Sequence, residues 1–181
     1  MRKLSIEELK RVNVEEFKQL EKIPVVVVLD NVRSTHNVGA VFRTSDAFRI
    51  AEIHLCGITP KPPHRDIEKS ALGATESVDW KSFTNTAESI QALRDEGYRI
   101  WCIEQVDKSV SLERWEWTGE KIALVFGHEV FGVDEKIVAA ADGAIEIPQA
   151  GTKHSLNISV TAGIVLWTCF GQHLSQDSNR D

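Results

Sequence analysis

The chain of 181 residues lacks a G-x-G-x-x-G, and the G-x-x-x-x-G of Gly127 to Gly132 is followed by Val133 and Asp134 where a P-loop needs Lys and Ser or Thr. Without these residues no backbone cradle for a dinucleotide or triphosphate is expected, which counts against a nucleotide-dependent oxidoreductase or kinase. Cysteine is scarce: Cys56, Cys102 and Cys169 stand singly in apolar segments with no C-x-x-C, the pattern of reduced, buried thiols in a cytoplasmic protein. The six histidines form no H-E-x-x-H, so no metal site is expected. No apolar run approaches the roughly 20 residues that span a bilayer. The opening MRKLSIEELK has no apolar core of a secretory signal. No G-x-S-x-G surrounds Ser155, and sequence adjacency does not put His154 within reach of its hydroxyl. Positive charge is also in deficit, with 21 basic against 27 acidic residues and a net charge of −6. That balance disfavours a protein that coats nucleic acid without specificity.

What is present fits one domain with a substantial core, with 42% hydrophobic and 27% charged residues. Ser5 and Glu8 form a capping box before Ile6, Leu9 and Val12, so a helical extension is expected over residues 1–24, with Phe17 and Leu20 continuing a second stripe. Val25 to Asp30, VVVVLD, is a β-branched run typical of a strand covered on both faces. A helix is expected from about Val38 to Phe48, then a strand at AEIHLCG, a proline loop at ITPKPPHRD, a short helix at DIEKSALGA and a strand at SVDWKSF. A helix ending at Gly97 follows, with Ile90 and Leu93 on its buried face. RIWCIEQV, KIALVFG and GAIEIP read as strands, and DEKIVAAA as a helix capped by Asp134. The alternation predicts an α/β fold, a parallel sheet with helices on both faces. The last helix, SLNISVTAGIVLWTCFGQHL, is apolar almost all round and needs either a large core or a second subunit around it, so a homodimer is expected.

Three loops at strand ends carry unusual residues, and open α/β sheets bind ligands beyond the carboxyl ends of their strands. In DNVRSTHNVGAVFRT, Asn37 is placed to cap a helix, Gly39 permits close backbone approach, and Arg43 projects a turn later, where it suits a surface ion pair or a ligand. In FGHEVFGV, Glu129 follows Gly127 near a helix start, where it suits a dipole partner. In IPQAGTKHSLNISVTAG, Ser155 is placed to cap the last helix, with Asn157 in its first turn. Basic residues cluster locally at Arg33, Arg43 and Arg49, at Lys61, His64, Arg65 and Lys69, and at Lys153 beside His154; each alone is equally well read as solvating charge.

Taken in order, N-x-G-A-x-x-R-T (Asn37 to Thr44), F-G-x-E-x-x-G (Phe126 to Gly132) and I-P-x-x-G-x-x-x-S-L-N-x-S-V (Ile147 to Val160) resemble the SpoU/TrmH branch of the SPOUT RNA methyltransferases, from about Val25 to Phe170. The resemblance implies a catalytic domain over residues 25–172 with a C-terminal deep trefoil knot, followed by a polar tail at 173–181. It implies transfer of a methyl group from S-adenosyl-L-methionine to a ribose 2′-hydroxyl of tRNA or rRNA, with tRNA favoured. Ile103, Gly127, Ile147, Ser155 and Leu156 are then expected in the cofactor pocket, with Gly127 leaving room for the adenosyl group. Arg43, Asn37, Glu129, Ser155 and Asn157 are expected at the catalytic centre, and Arg33, Arg43, Arg49, Lys61, Arg65 and Lys153 on RNA. The active site is expected where two subunits meet, the arginine of one facing the cofactor of the other. Many relatives carry an N-terminal RNA-binding domain, for which the residues before Val25 are too few. Arg49 stands where relatives commonly have Gly, and either adds a phosphate contact or merely ends the helix. The competing readings are a noncatalytic RNA-binding or ribosome-assembly factor of the same fold, and a SPOUT base methyltransferase.

Overall fold

The computed structural model describes residues 1–5 and 7–177; Ile6 and the end of the expected tail, 178–181, lie outside the described residues. Seven strands, β1 (Ile23–Asp30), β2 (Ile50–Cys56), β3 (Asp79–Phe83), β4 (Arg99–Ile103), β5 (Val110–Ser111), β6 (Ile122–Phe126) and β7 (Gly143–Glu146), form one sheet in the order β3-β2-β1-β6-β4-β7-β5. Every pairing in it is parallel. β1 sits near the middle and is buried on both faces, as its β-branched run predicts. Val25, Val27 and Leu29 join the core on one face; Val26 and Val28 join the core on the other. Pro24 falls where the β1–β2 register shifts, between Ile23 and Val26, so the missing N–H interrupts no regular ladder.

The first core is closed by α2 (Thr35–Ala47), α3 (Arg65–Ala71), α4 (Ala74–Ser77) and α7 (Ile158–Asp177); the second by α5 (Thr86–Asp95) and α6 (Glu135–Ala140). Ile90 and Leu93 are buried as expected, and Asp134 caps α6 by accepting from Lys136 N at 2.8 Å. All three thiols are buried, and burial pushes Cys56 up to about 11 and Cys102 and Cys169 up to about 12, so they stay protonated.

Several boundaries differ from expectation, each for a local reason. The Ser5–Glu8 box forms, with Glu8 N on Ser5 Oγ at 3.3 Å and Ser5 N on Glu8 Oε2 at 2.8 Å, but it closes only a turn. Lys10 at φ 46 breaks the path, and the helix α1 (Val14–Gln19) starts anew on a second capping box, Asn13 with Glu16. DIEKSALGA is split into two helices at Leu72 (φ 51) and Gly73 (φ 89). α7 extends past Leu174, its expected end, through Asp177 and into the expected tail, held by the Gln172 amide, which pairs with Trp117 N and Trp115 O, and by Gln176, which donates to Trp117 O. Only one side of α7 is covered by its own chain: Ile158, Ala162, Val165, Leu166 and Cys169 are buried, while Val160 (50% exposed), Ile164 (38%) and Trp167 (57%) face outward.

Candidate active site

Three loops converge at the carboxyl ends of β1, β6 and β7, and a chain of hydrogen bonds ties them. Glu129, from the loop after β6, accepts Arg33 N at 3.0 Å, Ser34 N at 2.9 Å and Asn37 Nδ2 at 3.3 Å. Asn37 Oδ1 in turn accepts Asn157 Nδ2 at 3.3 Å, from the loop after β7. Burial raises the Glu129 pKa, but the backbone donors of Arg33 and Ser34, with help from Asn37, outweigh it and hold the carboxyl below its ordinary value. Glu129 is therefore a cross-loop anchor instead of a partner for its own helix end.

This network corrects two expectations. Asn37 does not cap α2: Ser34 does, accepting Asn37 N at 3.3 Å, and α2 begins three residues earlier than expected. That frees the Asn37 amide to bridge the other two loops. Ser155 does not cap α7 either. Asn157 sits immediately before the helix and accepts Ser159 N at 2.9 Å, so Ser155 remains in an exposed loop.

Beside the network lies a cavity of about 790 Å³ between the loops after β4, β6 and β7. Ile103, Gly127, Ile147, Ser155 and Leu156 all line it, together with Glu129 and Asn157. Its floor is apolar, from Ile103, Phe126 and Ile145, and its rim carries Glu104, Glu135 and Glu146. Glu104 escaped the sequence reading although it directly follows β4, the position at which open sheets place site residues. Its carboxylate accepts Val133 N at 3.0 Å and Gln105 N at 2.9 Å, and Gln105 donates to the His154 carbonyl at 3.1 Å, which fastens the third loop.

Gly127 is required for a reason that the sequence did not show. A Cβ there would stand 2.1 Å from Gly132 C and Val133 N, so the residue lets its own loop fold back against the strand end. His128 and Gly132 close that loop with reciprocal bonds of 2.9 and 2.8 Å. Gly39 has a similar role in packing, since a Cβ would meet Ser70 Oγ at 2.1 Å and Ile67 O at 2.4 Å where α3 crosses α2.

Arg43 stands apart. It is exposed on α2 and makes no hydrogen bond or ion pair among the described residues, so the surface ion pair is not formed. It is also absent from the cavity wall. Arg33, Lys61, Arg65 and Lys153 are exposed as well, and Arg65 opens α3 on the same face of the sheet as α2. Arg49, at φ 52, ends α2 in a left-handed conformation, which accounts for glycine being suited to that place. Among the described residues, no group of three or more His, Cys, Asp or Glu is arranged to hold a metal ion, and no helix is long and apolar enough to cross a membrane.

A sequence model of the SpoU rRNA Methylase family matches residues 24–167. A tRNA (guanosine(18)-2′-O)-methyltransferase of Thermus thermophilus is 30% identical over 167 residues, covering 92% of this chain and 84% of that protein. The TrmH/SpoU tRNA modifying enzyme of A. aeolicus superposes with a TM-score of 0.80 at 27% identity, over 91% of this chain and 82% of the other. The AdoMet-bound rRNA methyltransferase of Sinorhizobium meliloti superposes with a TM-score of 0.78 at 26% identity, over 87% of this chain and 60% of the other.

Proposed function

The chain belongs to the SpoU rRNA Methylase family, and from that premise we propose that it transfers a methyl group from S-adenosyl-L-methionine to a ribose 2′-hydroxyl of RNA. The observation that carries this reading is the cavity at the strand ends, lined by all five residues expected to hold the cofactor and bordered by the Asn157–Asn37–Glu129 chain. Its volume of about 790 Å³ suits a small-molecule site, which commonly runs to about 300–1,000 Å³. The apolar floor suits an adenine ring, and the acidic rim suits the cationic sulfonium and ammonium groups. Bound there, S-adenosylmethionine supplies an electrophilic methyl carbon.

The residues of this chain have three tasks. Ile103, Gly127, Ile147, Ser155 and Leu156 form the wall that would hold the methyl donor. Glu129, Asn37 and Asn157 keep the three loops in fixed relation, which supports the alignment that an in-line displacement requires. A guanidinium has five donors and no acceptor, so Arg43 is assigned to gripping an RNA phosphate and stabilising the developing oxyanion instead of removing a proton. Ser155, exposed on the cavity wall, is positioned toward the ribose in this reading.

The reading includes a homodimer. Arg43 lies outside the cavity of its own chain, and the uncovered face of α7 at Val160, Ile164 and Trp167 offers a surface for a second copy. The knotted path implied for the loops after β6 and β7 belongs to the same proposal. So does a cytoplasmic location, supported by three buried free thiols. Of the two RNA classes, tRNA is proposed, because the likeness to the A. aeolicus tRNA modifying enzyme runs through more of both chains than that to the Sinorhizobium rRNA enzyme. Arg33, Lys61, Arg65 and Lys153 supply exposed positive charge for it.

Methyl transfer from labelled S-adenosylmethionine to unmodified tRNA and rRNA transcripts tests the reading. Incorporation into tRNA is expected; incorporation into rRNA alone would reassign the substrate, and none into either would refute the activity. Trp167→Glu is expected to yield an inactive monomer by sedimentation, and an active monomer would contradict the shared site.

A further inference from the structure

The turn after β6 exposes two large apolar side chains, Val130 at 69% and Phe131 at 83%. Both line the cavity, and neither belongs to either core. Loop tips with such exposure are usually left polar, because an uncovered ring gains nothing from burial. The backbone beneath the ring is nevertheless held firmly. His128 and Gly132 exchange two hydrogen bonds, and His128 Nδ1 accepts Val130 N at 3.0 Å and Phe131 N at 3.4 Å. Accepting at Nδ1 leaves the imidazole proton on the other nitrogen. The His128 ring lies 4.8 Å from that of Phe131, centroid to centroid, and backs one side of it. Gly132, at φ 72, could not carry a Cβ without meeting Glu104 Oε2 at 2.2 Å. A fixed backbone thus presents a free aromatic face at the cavity mouth.

The same turn carries Glu129, whose carboxylate holds the Arg33 backbone at 3.0 Å. The backbone of the exposed Arg33 is thereby tied to the loop that carries the aromatic turn. Positive charge for a backbone phosphate next to an aromatic face for a base is the pairing by which proteins take hold of unpaired nucleotides. We propose that Phe131 is the stacking platform for the base of the nucleotide whose ribose is methylated. The proposal rests on the methyltransferase reading. A 2′-hydroxyl is brought against a methyl carbon inside a cavity more closely by an unpaired nucleotide than by one held in a helix, and a protein ring that receives the base offsets part of the lost stacking. Stacking on a phenyl face reads no base edge, so the platform serves any base, and sequence choice resides elsewhere.

The test measures methyl transfer to tRNA and rRNA transcripts by wild type, Phe131→Ala and Phe131→Tyr, with S-adenosylmethionine affinity by calorimetry and oligomeric state by sedimentation. Phe131→Ala is expected to lose roughly 5- to 150-fold in kcat/KM, chiefly through KM for RNA. Phe131→Tyr restores it, while cofactor affinity and oligomeric state match wild type. An active wild type with Phe131→Ala at the same kcat/KM overturns the stacking role alone. A loss that tracks dissociation of the oligomer, or weakened cofactor binding, assigns the ring to those contacts and also overturns it. A wild type inert on both RNA classes overturns the activity and this proposal together.

Discussion

Asn37 and Arg43 lie six residues apart on α2, yet one is tied to its surroundings and the other is left free. Asn37 is bonded in both directions, to Glu129 and from Asn157, across 92 and 120 residues of sequence. Arg43 has no partner among the described residues, on a helix whose other side is packed against α3, α4 and α7. A long, flexible cation left unpaired contributes little to the fold, which agrees with its proposed use on RNA. The difference separates residues tied into the loop network from a residue proposed to meet a ligand, and each side of it can be challenged.

The largest effect is expected at the free end. Arg43→Ala should lower kcat by about 10²–10³-fold, the usual cost of losing one oxyanion donor, with an unchanged unfolding midpoint. Arg43→Lys should recover little of it, since an ammonium cannot grip a phosphate with two parallel bonds. Near-normal activity with normal RNA affinity in that variant would sink the bidentate grip. Gly127→Ala should act the opposite way, on the fold first. Its methyl would strike backbone and not a movable side chain, so a loss of about 1–3 kcal/mol in denaturant unfolding is expected, together with lost cofactor binding.

Smaller effects follow along the anchored chain. Glu129→Ala strands the Arg33 and Ser34 donors and should cost about 1–2 kcal/mol, whereas Asn37→Ala, with bonds of 3.3 Å, should cost about 0.5 kcal/mol. Equal losses at Asn37 and Arg43 would erase the distinction. The smallest effect is in pH. Because the Glu129 carboxyl is held below its ordinary value, its contribution is complete above the ordinary carboxylate range and disappears as pH falls through the depressed folded value. Glu129→Gln should therefore unfold with a shallower dependence on pH in that acid window.

The division also marks what sequence can express. β1, α5 and the cap at Asp134 were legible, because periodicity and capping are local. The meeting of three loops at strand ends was legible from position. What Asn37 and Glu129 do there was not, since their partners are set by the folded path and not by neighbours in sequence. Gly127 was recognised as necessary, but the close packing of its own loop against it was not, since Gly132 and Val133 are brought there by the fold. β5 was missed because two residues carry no period, and α7 was ended at Leu174 because Gln176 looks like tail until Trp117 is beside it. Phe131 gave no sequence signal at all; only its exposure beside the cavity distinguishes it.

The most direct test supplies S-adenosylmethionine carrying a trideuterated methyl group to the wild-type protein with unmodified tRNA and examines the digested nucleosides by mass spectrometry. A nucleoside with the added mass on its ribose is the predicted result. Deuterium on a base, or none on RNA under conditions where the protein binds the donor, would contradict it.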